Sequence, residues 1–245
     1  MESYTLNINS SRGVLTVKWK DVDTLANYAT LQSGLYGGKS DTISKAVFDQ
    51  NFVDWTQRQW THREKMGAVG LPNNAVILDV GSGIAVQDLL LYSFLPESKL
   101  YLLDKEQTDF KSGVYYSEQY PFYNTWKPVT DAIETSGFDS NRFIFLSPSD
   151  RWPETDCVTS YYSWCFHYPK ETYWQQCLNS LKIGGKLVLD IRKLKDRDTV
   201  EEISDEFGSK PEVFVYPNHL PKWVDDYRYA DPEVLGYRCV WVRNR

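Results

Sequence analysis

The chain has 245 residues, 42% hydrophobic and 24% charged, with a formal net charge of −6 at pH 7. Those values describe a globular chain able to bury one sizeable core, and they exclude a disordered or low-complexity polypeptide. The acidic balance argues against a wide electrostatic footprint for nucleic acid. No apolar run reaches membrane-spanning length, and the polar start Met1-Glu2-Ser3-Tyr4-Thr5 is no secretory signal, so a cytoplasmic chain without a membrane partner is expected.

Taken in chain order, residues 1–40 carry one short predicted strand, Gly13-Val14-Leu15-Thr16-Val17-Lys18-Trp19, and a flexible turn at Tyr36-Gly37-Gly38. Between Asp41 and Met66 the apolar positions Ile43, Val47, Phe48, Phe52, Trp55 and Trp60 suit one or two helices, which Gly67, Gly70 and Pro72 then break. Residues 1–70 hold too little apolar matter to fold alone and read as an N-terminal helical cap on 71–245. From Ala75 onward strands and helices alternate. Strands are predicted at 75–80, 99–104, 142–146, 156–161, 185–191, 212–216 and 237–243, giving an α/β, doubly wound, mostly parallel seven-stranded sheet. The aromatic-rich stretch 107–140 is longer than a usual crossover and is expected to insert over a pocket.

The first of these strands carries the most informative motif. Val76-Ile77-Leu78-Asp79-Val80 ends beside an acid, turns through Gly81-Ser82-Gly83-Ile84-Ala85, and enters the helical pattern Val86-Gln87-Asp88-Leu89-Leu90-Leu91. Small residues there let a ligand approach the backbone and the helix start. The next strand, Leu100-Tyr101-Leu102-Leu103, ends in Asp104, an acid placed to accept the hydroxyl hydrogens of a ribose. A pyrophosphate-binding loop has a third glycine and no acid two residues ahead of it, so a nucleoside with a cationic tail fits better than a dinucleotide.

The motif resembles the first motif of the class I SAM-dependent methyltransferases, in which a strand ends in Asp or Glu followed by Gly-x-Gly-x-Gly; Ala85 departs from it at the last glycine. The resemblance implies S-adenosyl-L-methionine as cofactor and S-adenosyl-L-homocysteine as product. It places Asp79, Gly81, Ser82 and Gly83 at the methionine end and Asp104 on the ribose. Lys105 lies either beside the adenine or on the surface. Ser147-Pro148-Ser149-Asp150 matches the place where related enzymes hold the adenine edge, with Ser149 and Asp150 as acceptors, though a plain turn is the other reading. Gly184-Gly185, between Leu178-Asn179-Ser180-Leu181-Lys182-Ile183 and Lys186-Leu187-Val188-Leu189-Asp190, resembles the family's turn into its fifth strand, where a helix C-cap reverses the chain.

The loop after the fourth strand is where such sheets meet an acceptor. It reads Ser160-Tyr161-Tyr162-Ser163-Trp164-Cys165-Phe166-His167-Tyr168-Pro169. Ser160 and Tyr161 are expected close to the sulfonium, and Trp164 and Tyr168 as substrate walls. His167 is either a general base for an acceptor hydroxyl or a structural residue of the loop. His62 and His219 have weaker cases. The loop lacks the Asp/Asn-Pro-Pro-Tyr motif of amino-methylating DNA enzymes, and the chain lacks a Pro-Cys pair. Cys157, Cys165, Cys177 and Cys239 have no Cys-x-x-Cys spacing and read as buried free thiols, and no metal site is expected. Arg192, Lys193, Lys195 and Arg197 read as a solvated loop. A small-molecule hydroxyl, of the kind taken by sugar O-methyltransferases, is the expected acceptor. An NAD-dependent oxidoreductase and a catalytically inactive SAM-binding or scaffold protein stand as the alternatives.

Overall fold

The computed structural model describes residues 3–20, 45–64, 70–105, 125–161, 163–165, 168–191, 199–215 and 237–245. Within them the chain runs β1 (Tyr4–Ser10), β2 (Gly13–Trp19), α1 (Lys45–Arg63), β3 (Val76–Val80), α2 (Val86–Phe94), β4 (Lys99–Leu103), α3 (Lys127–Ser136) and β5 (Phe143–Leu146). It continues through β6 (Thr155–Ser160), α4 (Trp174–Ser180), β7 (Leu181–Ile191), α5 (Thr199–Phe207), β8 (Glu212–Val215) and β9 (Tyr237–Val242).

β1 and β2 form an antiparallel hairpin registered from Tyr4 opposite Trp19 to Ser10 opposite Gly13. Their alternation puts Leu6, Ile8, Leu15, Val17 and Trp19 on one buried face. β2 lies where a strand was predicted; β1 falls in the stretch that read as a polar start. The hairpin's buried face joins α1, α2 and α3 in one apolar cluster against the sheet.

The other seven strands form one sheet in the order β5-β4-β3-β6-β7-β9-β8. All pairs from β5 to β7 are parallel, and β9 is antiparallel to both neighbours. This is the mostly parallel seven-stranded sheet expected from the sequence. Helices cover both faces, which is why β3 and β4 read as near-continuous apolar runs. Ile77 faces the cluster with the hairpin, while Leu78 and Val80 face a second cluster under α4 and α5 that includes Trp164, Ile203, Phe207 and Trp241. The chain builds outward from β3 to β5, then returns to β6 on the other side of β3. That reversal opens a crevice at the carboxyl ends of β3 and β6, where ligands of open parallel sheets bind.

One turn is corrected. α4 ends at Ser180, and Leu181 already pairs with Thr155 as the first residue of β7. The register then slips so that Lys186 faces Cys157, and the glycines sit in the resulting bulge rather than at a helix C-cap. Gly184 has φ +79°, and a Cβ on Gly185 would meet the Lys182 carbonyl at 2.9 Å. The end of α4 is instead met by Arg243, whose Nη1 donates to the Leu178 carbonyl at 2.5 Å and also to that of Leu181. The four cysteines are buried and form no disulfide, as read from their spacing. Among the described residues no helix is long and apolar enough to cross a membrane.

Candidate functional site

The glycine loop is tied to the end of β4. Gly81 and Ser82 N–H groups both donate to the Leu103 carbonyl, at 2.7 and 3.3 Å. Gly81 and Gly83 have φ of +77° and +56°, which L side chains seldom adopt. Gly83 N–H donates to Asp104 Oδ2 at 2.7 Å, and Lys105 N–H donates to Oδ1 at 2.7 Å. The loop and the strand-end acid, which the sequence separates, therefore form one edge of the crevice. Ala85, where the resemblance has a glycine, is the N-cap of α2 at φ 50° and ψ 29°. It keeps the glycine conformation at a cost of about 1–2 kcal/mol. The Lys105 side chain is exposed beyond the edge.

Asp79 behaves differently from its expected role. It is only 4% exposed, and its Oδ1 accepts the Thr159 hydroxyl at 2.5 Å. Burial first, then the negative charge of Asp88 beside it, raise Asp79 well above the usual carboxyl range against the pull of Arg63. The nearness of the second carboxyl group thus favours a proton on Asp79. Asp88 Oδ1 is paired with Arg63 Nη2 at 2.9 Å, and its Oδ2 is buried with no hydrogen-bond partner among the described residues. The Arg63–Asp88 ion pair lies beside an Asp79 carboxyl that burial drives toward its protonated form. A carboxylate offered to the cationic end of a ligand is thus replaced by an inward-facing acid that supports the loop from beneath.

The β6 loop divides into scaffold and lining. Ser160 is fully buried; its hydroxyl donates to the Val80 carbonyl at 2.7 Å and accepts the Trp164 N–H at 2.9 Å. It stitches β6 to β3 and turns no side chain toward the crevice. Trp164 is a core residue rather than a substrate wall. It is 0% exposed, its Nε1 donates to the Lys170 carbonyl at 2.9 Å, and its ring meets those of Trp152, Tyr173 and Trp174. Tyr161 is half-buried, with the guanidinium carbons of Arg63 and Arg238 4.9 and 4.6 Å from its ring centre.

Ser163 packs directly on Gly81: a Cβ there would lie 2.0 Å from the Ser163 Oγ. Tyr168 and Tyr173 both stand near Asp104. Burial, with Tyr173 and Asp104 nearby, pushes Tyr168 up to about 12, and burial and Asp104 raise Tyr173, so both phenols stay protonated and able to donate. His167, with Tyr162 and Phe166, lies outside the described residues, as do His219, residues 106–124 and the basic stretch 192–198.

At the end of β5 the turn predicted at 147–150 is present. Asp150 N–H donates to the Ser147 carbonyl at 2.9 Å, and Ser147 N–H donates to Asp150 Oδ2 at 2.7 Å. One oxygen of Asp150 is thus part of the turn itself; Ser149 is exposed beside it.

Two residues at the loop are left wanting. The Ser82 hydroxyl and both amide atoms of Gln87, in the first turn of α2, are buried with no hydrogen-bond partner among the described residues. Buried polar groups are normally satisfied, so these atoms fit a ligand with polar ends lying against the loop. Gln87, Ser163, Tyr173 and Arg63 were not singled out from the sequence. Gln87 follows the motif directly and was open to that reading; the others meet the loop only through the fold.

No family model matches the chain, and no curated protein sequence matches it. Solved structures do. A protein from Galdieria sulphuraria named as a candidate sarcosine dimethylglycine methyltransferase superposes with a TM-score of 0.51 at 12% identity, over 92% of this chain and 98% of that one. A precorrin-6y C5,15-methyltransferase from Geobacter metallireducens gives 0.44 at 18% identity over 65% and 74%. An rRNA methylase from Streptococcus thermophilus gives 0.43 at 12% over 83% and 99%. The first of these likenesses, with the strand order above, shows that the chain has the class I methyltransferase fold.

Proposed function

We propose that this chain binds S-adenosyl-L-methionine along the Gly81–Gly83 loop and transfers its methyl group to a small-molecule acceptor. The observation that carries this reading is the Gly83–Asp104 contact at 2.7 Å, which joins the glycine loop and the strand-end acid at the point where the sheet reverses its order. A carboxylate has about four lone-pair sites, so Asp104 can receive its two backbone donors and still accept from ribose hydroxyls. Ser82 and Gln87 supply buried polar atoms for the methionine end, and Ser149 with Asp150 stands where the adenine edge would lie.

When bound, the cofactor supplies a methyl already activated on a sulfonium. The chain's own part is to align an acceptor about 3 Å from it and to remove a proton from that acceptor. His167, on the loop between Cys165 and Tyr168, is the proposed proton acceptor for a hydroxyl. Tyr168 and Tyr173, both protonated, are the proposed donors that orient it. In this reading residues 1–70 cap a catalytic unit formed by 71–245.

The same topology serves nicotinamide cofactors, but there the loop must leave its N–H groups to a pyrophosphate. Here Gly83 N–H is held by a carboxylate, which would repel one. Equilibrium dialysis against labelled S-adenosyl-L-methionine and against NADH tests the choice. Retention of the first alone supports the proposal; retention of NADH alone overturns it.

A further inference from the structure

Tyr161 is clamped by two buried cations. It is the first residue after β6, so it stands at the carboxyl ends of the parallel strands, where the crevice opens. The guanidinium carbon of Arg63, from α1, is 4.9 Å from its ring centre, and that of Arg238, from β9, is 4.6 Å. Each guanidinium is itself fixed. Arg63 pairs with Asp88; Arg238 holds Asp190 through Nε and Nη2 at 2.6 and 2.9 Å, and its Nη1 donates to Gln59 Oε1 at 3.1 Å. Both arginines are buried, whereas Tyr161 is half-buried and its hydroxyl makes no hydrogen bond among the described residues. The ring is held in place while its one polar atom is left for a ligand.

This end of the sheet is rich in donors and poor in bases. Burial keeps the Tyr161 phenol protonated against the pull of Arg63 and Arg238, and the nearby Asp79 and Cys157 act in the same direction as burial. Tyr168 and Tyr173 are held protonated as well. The carboxyl groups are committed: Asp88 to Arg63, Asp190 to Arg238, Asp79 to the Thr159 hydroxyl, and Asp104 to the Gly83 and Lys105 N–H groups. Fixed donors of this kind stabilise negative charge on a ligand oxygen. An amine gains positive charge as it is methylated, which two nearby guanidinium groups oppose.

We propose that Tyr161 is a catalytic residue that donates its hydroxyl hydrogen to the oxygen of the methyl acceptor, and that this acceptor is an acidic hydroxyl, a phenol or enol, held as its oxyanion. This inference rests on the cofactor reading above and names the acceptor class for that same site. Arg63 and Arg238 are positioning residues, which fix the ring and strengthen its O–H as a donor to a negative oxygen. The acceptor's O–H bond breaks as it is seated, and its proton passes to solvent. The oxyanion's lone pair then forms the O–C bond to the methyl while the C–S bond breaks, its electron pair staying on sulfur. Tyr161 keeps its own proton throughout, and His167 aids the acceptor's proton loss without being required for it.

4-Nitrophenol tests the assignment, because its absorbance separates phenol from phenolate. It is titrated through the neutral pH range with protein saturated by S-adenosyl-L-homocysteine, using wild type, Tyr161→Phe and Arg238→Lys. Wild type should bind the phenolate about tenfold more tightly than the phenol, so that the bound probe ionises about one pH unit below the free one. Tyr161→Phe removes only a hydroxyl without an internal partner. Its melting temperature should match wild type, and the bound probe's midpoint should return to the free value. Arg238→Lys keeps the charge but loses the two-point grip on Asp190, and its folded fraction should displace the midpoint less than wild type does. An equal displacement by that variant overturns the positioning role of Arg238. An undisplaced midpoint in wild type, the same displacement in Tyr161→Phe, or no nitrophenol bound beside S-adenosyl-L-homocysteine overturns the assignment while the cofactor reading stands. Failure of wild type to bind S-adenosyl-L-homocysteine overturns both.

Discussion

Asp104, at the end of β4, holds the backbone N–H of Gly83 at 2.7 Å, so the acid that closes one strand and the glycine that follows its neighbour share one edge of the crevice. Everything proposed for ligand binding is built around that edge. The residues beneath it form a buried polar scaffold whose behaviour can be checked without any ligand.

Gly81 tests how tightly the β6 loop is seated. Gly81→Ala places a methyl where Ser163 Oγ now lies and forces an L residue to φ +77°. The left-handed conformation alone costs about 1–2 kcal/mol, and Ser163 must also move. The expected result is a lower melting temperature together with weaker nucleoside binding. A variant with wild-type stability would contradict the described packing.

Asp79 gives a pH signature. Its pKa in the folded chain is raised by burial and by Asp88, whereas unfolded it titrates near the ordinary Asp value, about 3.9. The native state therefore holds a proton that the unfolded state releases. That stabilisation is complete below the unfolded value and is lost as pH rises through the folded one. Asp79→Asn keeps the acceptor for Thr159 without a titrating group. Denaturant titrations at pH 5, 7 and 9 should show wild type less stable relative to the variant at pH 9 than at pH 5. Parallel curves would show that Asp79 is not held protonated.

Asp190 and Arg238 form a two-bonded pair with both side chains almost wholly buried. Asp190→Ala should cost about 3–5 kcal/mol, because it strands a buried guanidinium. Replacing both residues with apolar side chains of similar size should recover much of that loss. Chemical denaturation of the single and double variants measures the difference.

Trp164 and Tyr168 separate core from lining. Trp164→Phe removes buried volume and the bond to Lys170, and should lower stability by about 1–3 kcal/mol with little effect on nucleoside affinity per folded molecule. Tyr168→Phe should do the reverse, leaving the melting temperature near wild type and weakening binding near Asp104. Thermal melts and titrations on the two variants are the measurement.

The contrast between those two aromatics shows what the sequence carried. The strand–loop–helix around Gly81 and the acid at Asp104 were legible because they are local: apolar runs, two small residues and a carboxylate within one βαβ unit. The other parallel strands were legible from their alternation with helices, while their order in the sheet came from the fold. β1 was not legible, because its alternation is short, only Leu6 and Ile8 between Thr5, Asn7 and Asn9, and asparagine is depleted in strands; its pairing with β2 supplies the rest. Trp164 read as a wall because loop aromatics often line pockets, yet its fate was set by Trp152, Tyr173 and Trp174, which meet it only in the fold. Asp79 read as a ligand-facing carboxylate because Arg63 and Asp88, on two different helices, leave no sign of their proximity in the chain. Gly184-Gly185 looked like a helix end, but Arg243, just past the last strand, meets that end instead.

The central claim is that the Asp104–loop edge holds the nucleoside of S-adenosyl-L-methionine. Calorimetric titration of S-adenosyl-L-homocysteine into wild type and Asp104→Ala tests it most directly. Wild type is expected to bind, and the variant, still folded by circular dichroism, to bind about tenfold or more weakly, as when hydrogen bonds to a charged acceptor are removed. Equal affinity in the two proteins, or no binding to wild type, would contradict it.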